Sequence, residues 1–339
     1  MNKQKHSLLK SPIQHIDIKS FDASKIIDQF SDMAFQSRNL ARASKIFESM
    51  IKDEDCSIIL CLAGSLVSAG LKHAIADLIK HNMVDCIVST GANIVDQDFF
   101  EGLGFSHYKG SPCADDNELR ELMVDRIYDT FIDEEDLRVC DDTIKEIADE
   151  MSAGVYSSRE FIWQMGAFLE KNHPDVFGIT LEAFRNDVPI FCPAFSDSSA
   201  GFGLVEHQYN NPKSHVSIDS VKDFRELTML KTKTKETGLV MIGGGVPKNF
   251  VQDTVVAADI LGIESPMHKY AIQLTVADER DGALSGSTLK EANSWGKVDL
   301  GSEQMVFSEA TLSFPLLASY VYHMGSWKNR SKRGLSSLL

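Results

Sequence analysis

Two hydrophobic patterns alternate along the chain. Short runs rich in consecutive apolar residues occur at 57–63, 84–90, 188–193, 238–243, 270–275 and, more weakly, 305–307. Such runs are typical of strands buried on both faces of a parallel sheet. Helical spacing of apolar residues covers 21–51, 67–81, 117–151, 158–172, 219–235, 249–261 and 314–324. The alternation predicts an α/β fold.

The region from residue 57 to residue 90 contains a strand, a glycine turn, a helix and a second strand. This βαβ order implies a right-handed crossover and a mostly parallel sheet. The helical region 117–151 is unusually acidic, so we expect it on the surface. The length of 339 residues allows one large domain or two smaller ones, and no linker-like composition forces a break.

Small residues follow several predicted strands. They are Gly64 and Ser65, residues 90–92, Asp197 and Ser198, residues 243–245, and Thr275. The carboxyl ends of parallel strands lie along one sheet edge, where ligands bind, so these turns predict a nucleotide-sized crevice. The alternative is that glycine simply ends strands, which would explain any single turn.

The net charge and the positions of the cysteines limit the classes of partner and ligand that we expect. The formal net charge of -15 argues against a nucleic-acid surface and suits a cationic substrate better. The six cysteines are dispersed without CxxC pairs, and the histidines form no spaced cluster, so we expect reduced core cysteines and no metal. No stretch approaches the roughly 20 apolar residues of a membrane span. We expect a cytoplasmic protein with neither nucleic acid nor membrane as partner.

Common catalytic motifs are missing from the sequence. The triple glycine at 243–245 is not GxGxxG, although a glycine turn before a helix can still admit a pyrophosphate or ribose to backbone amides. There is no GxxxxGK[ST], HExxH or GxSxG, which removes the usual NTPase, zinc-protease and serine-hydrolase interpretations.

The stretch 275–297 is the best candidate for chemistry. An acidic loop of small residues leads to Trp295, Gly296 and Lys297. A lysine held against an indole can lose its proton and act as a nucleophile, and the acidic residues suit a cationic ligand. The alternative is an ordinary surface lysine after a solvated loop.

An ordered set of blocks resembles deoxyhypusine synthase and its homospermidine synthase relatives over roughly residues 11–324. The blocks are LVSAG at 66–70, HNMVD at 81–85, CPA at 192–194, IGGGV at 242–246, DG at 281–282 with SG at 285–286, SWGK at 294–297 and FPLL at 314–317. The resemblance implies a single, Rossmann-like α/β domain with a mostly parallel sheet flanked by helices. We place this NAD-binding domain at 21–330, after an extended arm at 1–20 and before a tail at 331–339.

The resemblance also implies the chemistry. In the family NAD relays a hydride, spermidine is oxidised beside its secondary nitrogen, and a lysine captures the aminobutyl group as an imine with loss of diaminopropane. The group then passes to an acceptor amine and is reduced. Members assemble as homotetramers with active sites at subunit interfaces.

Site residues follow from the resemblance by position. Lys297 matches the catalytic lysine, and Glu291, Trp295, Asp253 and Asn249 fall at polyamine-binding positions. Positions that match NAD contacts are Ser65, Ser68, Thr90, Asp197, Gly244, Ala277, Asp281, Ser285, Glu309 and Ala310.

Several positions depart from the family. Ala63-Gly64-Ser65 replaces a TSN turn, Phe202 and Leu284 replace aspartates, Asn249 replaces a histidine and Asp253 replaces an asparagine. We therefore expect a rebuilt substrate pocket and an aminobutyl transferase whose acceptor is a small amine such as putrescine, giving homospermidine. One alternative is a true deoxyhypusine synthase acting on a lysine of the hypusine-bearing translation factor. Another is a catalytically inactive NAD-binding protein.

Overall fold

The computed structural model describes residues 3–280 and 287–339. Its strands are β1 (Cys56–Leu62), β2 (Cys86–Ser89), β3 (Tyr108–Lys109), β4 (Val124–Ile127), β5 (Thr130–Asp133), β6 (Gly154–Tyr156), β7 (Ile190–Phe191), β8 (Val216–Ile218), β9 (Glu236–Ile242), β10 (Tyr270–Thr275) and β11 (Glu303–Phe307). Six of them form one parallel sheet in the order β11-β10-β9-β1-β2-β7. The predicted α/β class and mostly parallel sheet are confirmed.

Helices connect the strands. They are α1 (Lys3–Leu8), α2 (Ser24–Phe30), α3 (Phe35–Lys52), α4 (Lys72–Lys80), α5 (Phe100–Gly102), α6 (Asp116–Glu121), α7 (Glu134–Glu150), α8 (Ser158–Asn172), α9 (Ile179–Asn186), α10 (Ser199–Asn210), α11 (Ser220–Lys233), α12 (Gly245–Gln252), α13 (Thr254–Ile260), α14 (Leu289–Ser294) and α15 (Ala310–Met324). π-Helical turns, Val67–Leu71 and Ala92–Phe99, lead into α4 and α5, and short 3-10 turns occur at Leu300–Ser302, Ser326–Asn329 and Leu335–Leu338. None of the helices in the described ranges is long and apolar enough to cross a membrane.

The central strand β1 explains the layered architecture. All seven of its residues are buried, and it pairs in parallel with β2 on one side and β9 on the other. Successive side chains point to opposite faces, so Ile58 and Leu60 join the larger hydrophobic core while Ile59 and Cys61 join the smaller one. Helices therefore cover both faces of one sheet, as a single α/β domain requires.

The acidic region 117–151 is not one helix, so that part of the prediction is wrong. Strands β4 and β5 form an antiparallel hairpin between α6 and α7, and β3 pairs with β5 to complete a small sheet. Phe131 and Ile132 are buried although charged residues surround them in sequence. The hairpin turns at Tyr128, whose φ of 51° lies in the left-handed region.

Three further expectations need correction. Residues 3–8 of the predicted extended arm are helical, and Lys5 anchors them through ion pairs of 2.7 Å with Asp133 and 2.8 Å with Glu135. The predicted helix 249–261 is two helices that meet at Asp253. Among the cysteines, Cys113 is exposed and the other five are buried.

Candidate active site

A cavity of about 830 Å³ opens at the carboxyl edge of the main sheet. Its walls come from the turns after β1, β9 and β10, from the start of α15 and from the β4–β5 hairpin. The predicted cofactor contacts Ser65, Ser68, Glu309 and Ala310 line this one cavity. Gly244 and Ala277 directly follow lining residues, so six positions widely separated in sequence come together.

The glycine turn after β9 leaves little room for a side chain beside the cavity. Gly243 has a φ of 78°, a left-handed conformation that L residues rarely adopt. A Cβ atom at Gly243 would lie only 2.9 Å from the Cβ of Ala63 in the turn after β1. Two neighbouring strand ends therefore approach each other closely at the point where they face the cavity.

Asn93 ties the strand-end turns together, and sequence analysis did not single it out. Its side chain is fully buried; the carbonyl oxygen accepts the Leu66 N–H at 2.7 Å, and the amide donates to the Ala63 carbonyl at 3.3 Å. The amide also donates to the Thr90 hydroxyl at 3.1 Å. Asn93 thus positions the turn after β1 against the turn after β2.

The predicted contacts Thr90 and Asp197 do not line the cavity and lie farther along the sheet edge. The Thr90 hydroxyl donates to the Gly64 carbonyl at 3.2 Å, whereas Asp197 is exposed after β7. Beside Asp197, the carboxylate of Asp96 accepts the Ser199 N–H at 2.6 Å. Burial raises the pKa of Asp96 to about 6, with smaller contributions from neighbouring carboxylates. Like Asn93, Asp96 lies near the strand-end turns and was not singled out from the sequence.

Lys297 follows α14, and its backbone lies beside His268, two residues before β10 begins, at the amino end of that strand. Its amine is 2.6 Å from a carboxylate oxygen of Asp253, and its side chain is 15% exposed against 42% for Asp253. The amine also lies 5.3 Å from the centre of the Trp295 ring, a cation–π distance. Trp295 itself is 66% exposed, so the indole bounds the amine on one side and faces solvent on the other.

The backbone fixes the position of Lys297. Gly296, with a φ of 70°, turns the chain after α14, and the Lys297 N–H donates to the Ala292 carbonyl at 3.0 Å. The Lys297 carbonyl in turn accepts the His268 N–H at 2.9 Å. The lysine backbone is therefore held against the segment that leads into β10.

A second lysine, Lys248, lies at this site and was not predicted. It is fully buried in α12, and its amine donates to the Ser287 carbonyl. Burial lowers the pKa of Lys248 to about 8; the charge of Glu291 opposes this shift and that of Lys297 adds to it. In the sequence Lys248 simply follows the glycine turn at 243–245. We interpreted that turn as able to admit a pyrophosphate or ribose, and did not single out the lysine.

The remaining predicted amine contacts have different surroundings. Glu291 is exposed, and its carboxylate accepts the Thr288 N–H at 2.7 Å in a capping box at the start of α14. The hydroxyl and N–H of Thr288 lower the pKa of Glu291. Asn249 is half-buried on α12, one turn before Asp253. Asp281, Leu284 and Ser285 lie outside the described residues.

Sequence and structure comparisons place the chain among known proteins. The deoxyhypusine synthase family model matches residues 25–321. The chain belongs to the deoxyhypusine synthase family. It is 63% identical over 337 residues to a "Deoxyhypusine synthase-like protein" of Chlorobaculum parvum, which covers 99% of this chain and 96% of that protein. The Coxiella burnetii protein of the same name is 61% identical over 335 residues, covering 98% and 95%.

More distant relatives agree with the fold. A Methanosarcina mazei protein named "Probable deoxyhypusine synthase 2" is 42% identical over 309 residues, covering 91% of this chain and 89% of that protein. A solved Entamoeba histolytica structure assigned to deoxyhypusine synthase aligns with a TM-score of 0.59 at 21% identity, covering 92% and 97% of the two chains. At that identity the structural likeness supports the deoxyhypusine synthase fold.

Phe202 is an exposed aromatic residue on α10. It lies in the first turn of α10, at a position where the family resemblance places an aspartate, and it is 70% exposed. Val205 and Tyr209 continue the same exposed apolar face along α10. Phe202, Val205 and Tyr209 thus form one exposed apolar face on α10.

Proposed function

We propose that this member of the deoxyhypusine synthase family is an NAD-dependent aminobutyl transferase. It moves the 4-aminobutyl group of spermidine, through an imine on Lys297, to a small acceptor amine such as putrescine, which yields homospermidine. The observation that carries the proposal is the Lys297 amine, largely buried, paired with Asp253 and backed by Trp295. A cavity of about 830 Å³ at the carboxyl edge of the main sheet is the candidate site for the cofactor.

The cavity residues fit NAD. Ser65, Ser68 and Thr275 offer hydroxyl groups, Glu309 offers a carboxylate beside the start of α15, and Leu274 and Leu312 offer apolar surface. Carboxylates bind ribose hydroxyls and repel a ribose phosphate. No lysine or arginine is among the described residues that line the cavity, which favours NAD over its phosphorylated form. When bound, the cofactor accepts a hydride from the amine and later returns it.

Residues of this chain would supply the nucleophile and the contacts to the substrate. Lys297 is the nucleophile that takes the four-carbon group and releases diaminopropane, so that one carbon–nitrogen bond forms as another breaks. Trp295 offers a ring face to cationic amines, and Glu291 offers an exposed carboxylate at the rim. Asn249 projects from the same helix as Lys248 and suits a neutral hydrogen-bonding contact.

The proposal also specifies which amine receives the aminobutyl group. Phe202 in place of an aspartate supports a pocket altered from that of enzymes acting on a protein lysine. The name of the 42% identical Methanosarcina mazei relative favours a second candidate, transfer to a lysine of the hypusine-bearing translation factor. The two candidates share the Lys297 step and differ only in the amine that receives the group.

Assembly and location belong to the same proposal. The exposed apolar face of Phe202, Val205 and Tyr209, together with exposed Trp295, supports a homotetramer in which neighbouring subunits complete the sites. Buried cysteines and the acidic composition support a cytoplasmic location, where thiols stay reduced.

The test is product analysis with a matched lysine pair. Purified protein incubated with NAD, spermidine and putrescine should form homospermidine and diaminopropane, measured by mass spectrometry. Lys297→Ala should abolish both products, whereas Lys290→Ala, which removes an exposed lysine from α14, should keep them. Replacing putrescine by the purified translation factor tests the second candidate. Neither product with either acceptor, or unchanged products from Lys297→Ala, would rule out the proposed chemistry.

A further inference from the structure

We infer that Asp253 is the proton acceptor for Lys297, holding the ammonium form at rest and taking its proton when the amine attacks. The inference rests on the proposed function and gives Asp253 a role different from polyamine binding. It concerns the reacting nitrogen itself, because the carboxylate contacts the Lys297 amine at 2.6 Å.

The fold presents Asp253 to Lys297 from a defined position. Asp253 lies at the junction of α12 and α13, where its N–H donates to the Asn249 carbonyl at 2.9 Å and its carbonyl accepts the Ala257 N–H at 2.9 Å. The backbone is therefore fixed on both sides, while the carboxylate remains free to contact the amine. The pair is partly shielded, since the Lys297 side chain is only 15% exposed.

Two charged groups lie near the Lys297 amine. Asp253 at the α12–α13 junction contacts this amine directly, and Lys248 on α12 lies close enough for the two positive charges to interact. Lys248 is buried and makes no ion pair among the described residues, so its positive charge repels that of Lys297. The repulsion adds to the effect of burial, which is the main cause of the lowered pKa of Lys248.

The proposed step balances in atoms and charge. Asp253 accepts one proton from the Lys297 ammonium, leaving a neutral amine and a carboxylic acid. The amine then attacks the carbon of the C=N bond that hydride loss creates in oxidised spermidine, and a carbon–nitrogen bond forms. As the older carbon–nitrogen bond breaks, the proton held by Asp253 goes to the departing nitrogen, and diaminopropane leaves as a protonated amine.

A polyamine-binding role for Asp253 predicts different behaviour. A carboxylate that only attracts the cationic substrate affects the Michaelis constant and leaves the intrinsic reactivity of Lys297 unchanged. A carboxylate that accepts the proton affects the pH dependence of Lys297 reactivity even without substrate. The two roles can therefore be separated by measuring the lysine itself.

The first measurement uses neither NAD nor spermidine. The intact protein is treated with propanal and cyanoborohydride across a pH series, and alkylation of Lys297 is followed by peptide mass spectrometry. In Asp253→Asn the pH profile of labelling should change, because the carboxylate that lies 2.6 Å from the amine is lost. Asp259→Asn, which removes an exposed carboxylate from α13, is the matched control and should leave the profile in place.

The second measurement uses turnover. Asp253→Asn should lower kcat by about a hundredfold with little change in the Michaelis constant for spermidine, the size expected for loss of a general base. Asp253→Glu should restore part of kcat. Coincident labelling profiles for Asp253→Asn and the wild type would overturn the inference, as would an unchanged kcat accompanied by a higher Michaelis constant. A wild type that makes no product would instead contradict the proposed function, and the labelling result would still decide the pairing.

Discussion

The buried amide of Asn93 donates a 3.1 Å hydrogen bond to the hydroxyl of Thr90, three residues earlier in the chain. Through its other contacts the same side chain holds the turn after β1, which lines the large cavity. One residue outside the cavity therefore controls the relative position of two strand ends.

Replacing Asn93 by alanine should weaken cofactor binding and stability together. Asn93→Ala leaves the buried Leu66 N–H without its acceptor, which costs about 1–3 kcal/mol. We expect a lower Tm and a Kd for NAD raised roughly tenfold by calorimetric titration, a change of about 1.4 kcal/mol. Asn117→Ala, at an exposed position in α6, is the control and should change neither quantity.

The glycine turn after β9 allows strain and crowding to be measured separately. Gly243→Ala places a side chain in a left-handed conformation and 2.9 Å from the Ala63 Cβ. Gly262→Ala imposes a similar conformation, with a φ of 70°, in open space. Both variants should lose about 1–2 kcal/mol of unfolding free energy in urea, and Gly243→Ala should lose more. Only Gly243→Ala should also lose NAD affinity; equal losses of affinity would show that crowding at this turn is irrelevant.

Lys231 gives a prediction for pH dependence. It is 1% exposed, its amine has no hydrogen-bond partner among the described residues, and burial lowers its pKa to about 8. Below pH 8 both the folded and the unfolded state carry the charge, so the cost of burying it is fully present. From pH 8 to the ordinary lysine pKa of 10.5 the folded state loses the proton first, and stability rises with pH.

Lys231→Met should therefore be more stable than the wild type at pH 7, by up to about 3 kcal/mol. The difference should shrink as the pH rises through 8 and disappear above 10.5. Urea unfolding at pH 7, 9 and 11 measures it. Lys213→Met, an exposed position, should show no such trend, and a destabilised Lys231→Met at pH 7 would mean that the buried amine makes a net favourable interaction.

The apolar face of α10 gives a prediction for substrate preference. Phe202→Asp restores a carboxylate at the position where the family resemblance places one, and the added negative charge should lower the Michaelis constant for spermidine roughly tenfold. Val205→Asp, one turn later and equally exposed at 70%, carries the same charge on the same face. If both variants act alike, the effect is general electrostatic attraction and Phe202 is not part of the pocket.

The sheet and the amine site differed in how far the sequence could predict them. Residues 57–63 were recognisable as a strand because every position of β1 is buried, which imposes a continuous apolar run. The β4–β5 hairpin was missed because Asp125, Arg126 and Asp129 mask its buried residues Phe131 and Ile132. Local pattern cannot separate such a hairpin from an acidic helix when the partner strand β3 is distant and short.

The site residues also differ in how far the sequence could predict them. Trp295 and Lys297 were found because they are adjacent in sequence and form a recognisable block. Asn93 and Lys248 were not, since their importance comes from contacts with residues on other elements. The pairing of Asp253 with Lys297 likewise joins two elements that no local spacing connects. Contacts of this kind form only in the folded chain and have no signature in a single sequence.

The order of strands in the main sheet also bears on how the chain folds as it is made. β1 sits at the centre of the sheet, yet its partner β9 begins only at Glu236, long after Leu62 has left the ribosome. At synthesis rates of about 5–20 residues per second, one edge of this all-apolar strand stays unpaired for roughly ten seconds or longer. An unpaired apolar edge is a template for aggregation, so overproduced chains should need slow expression or chaperones to remain soluble.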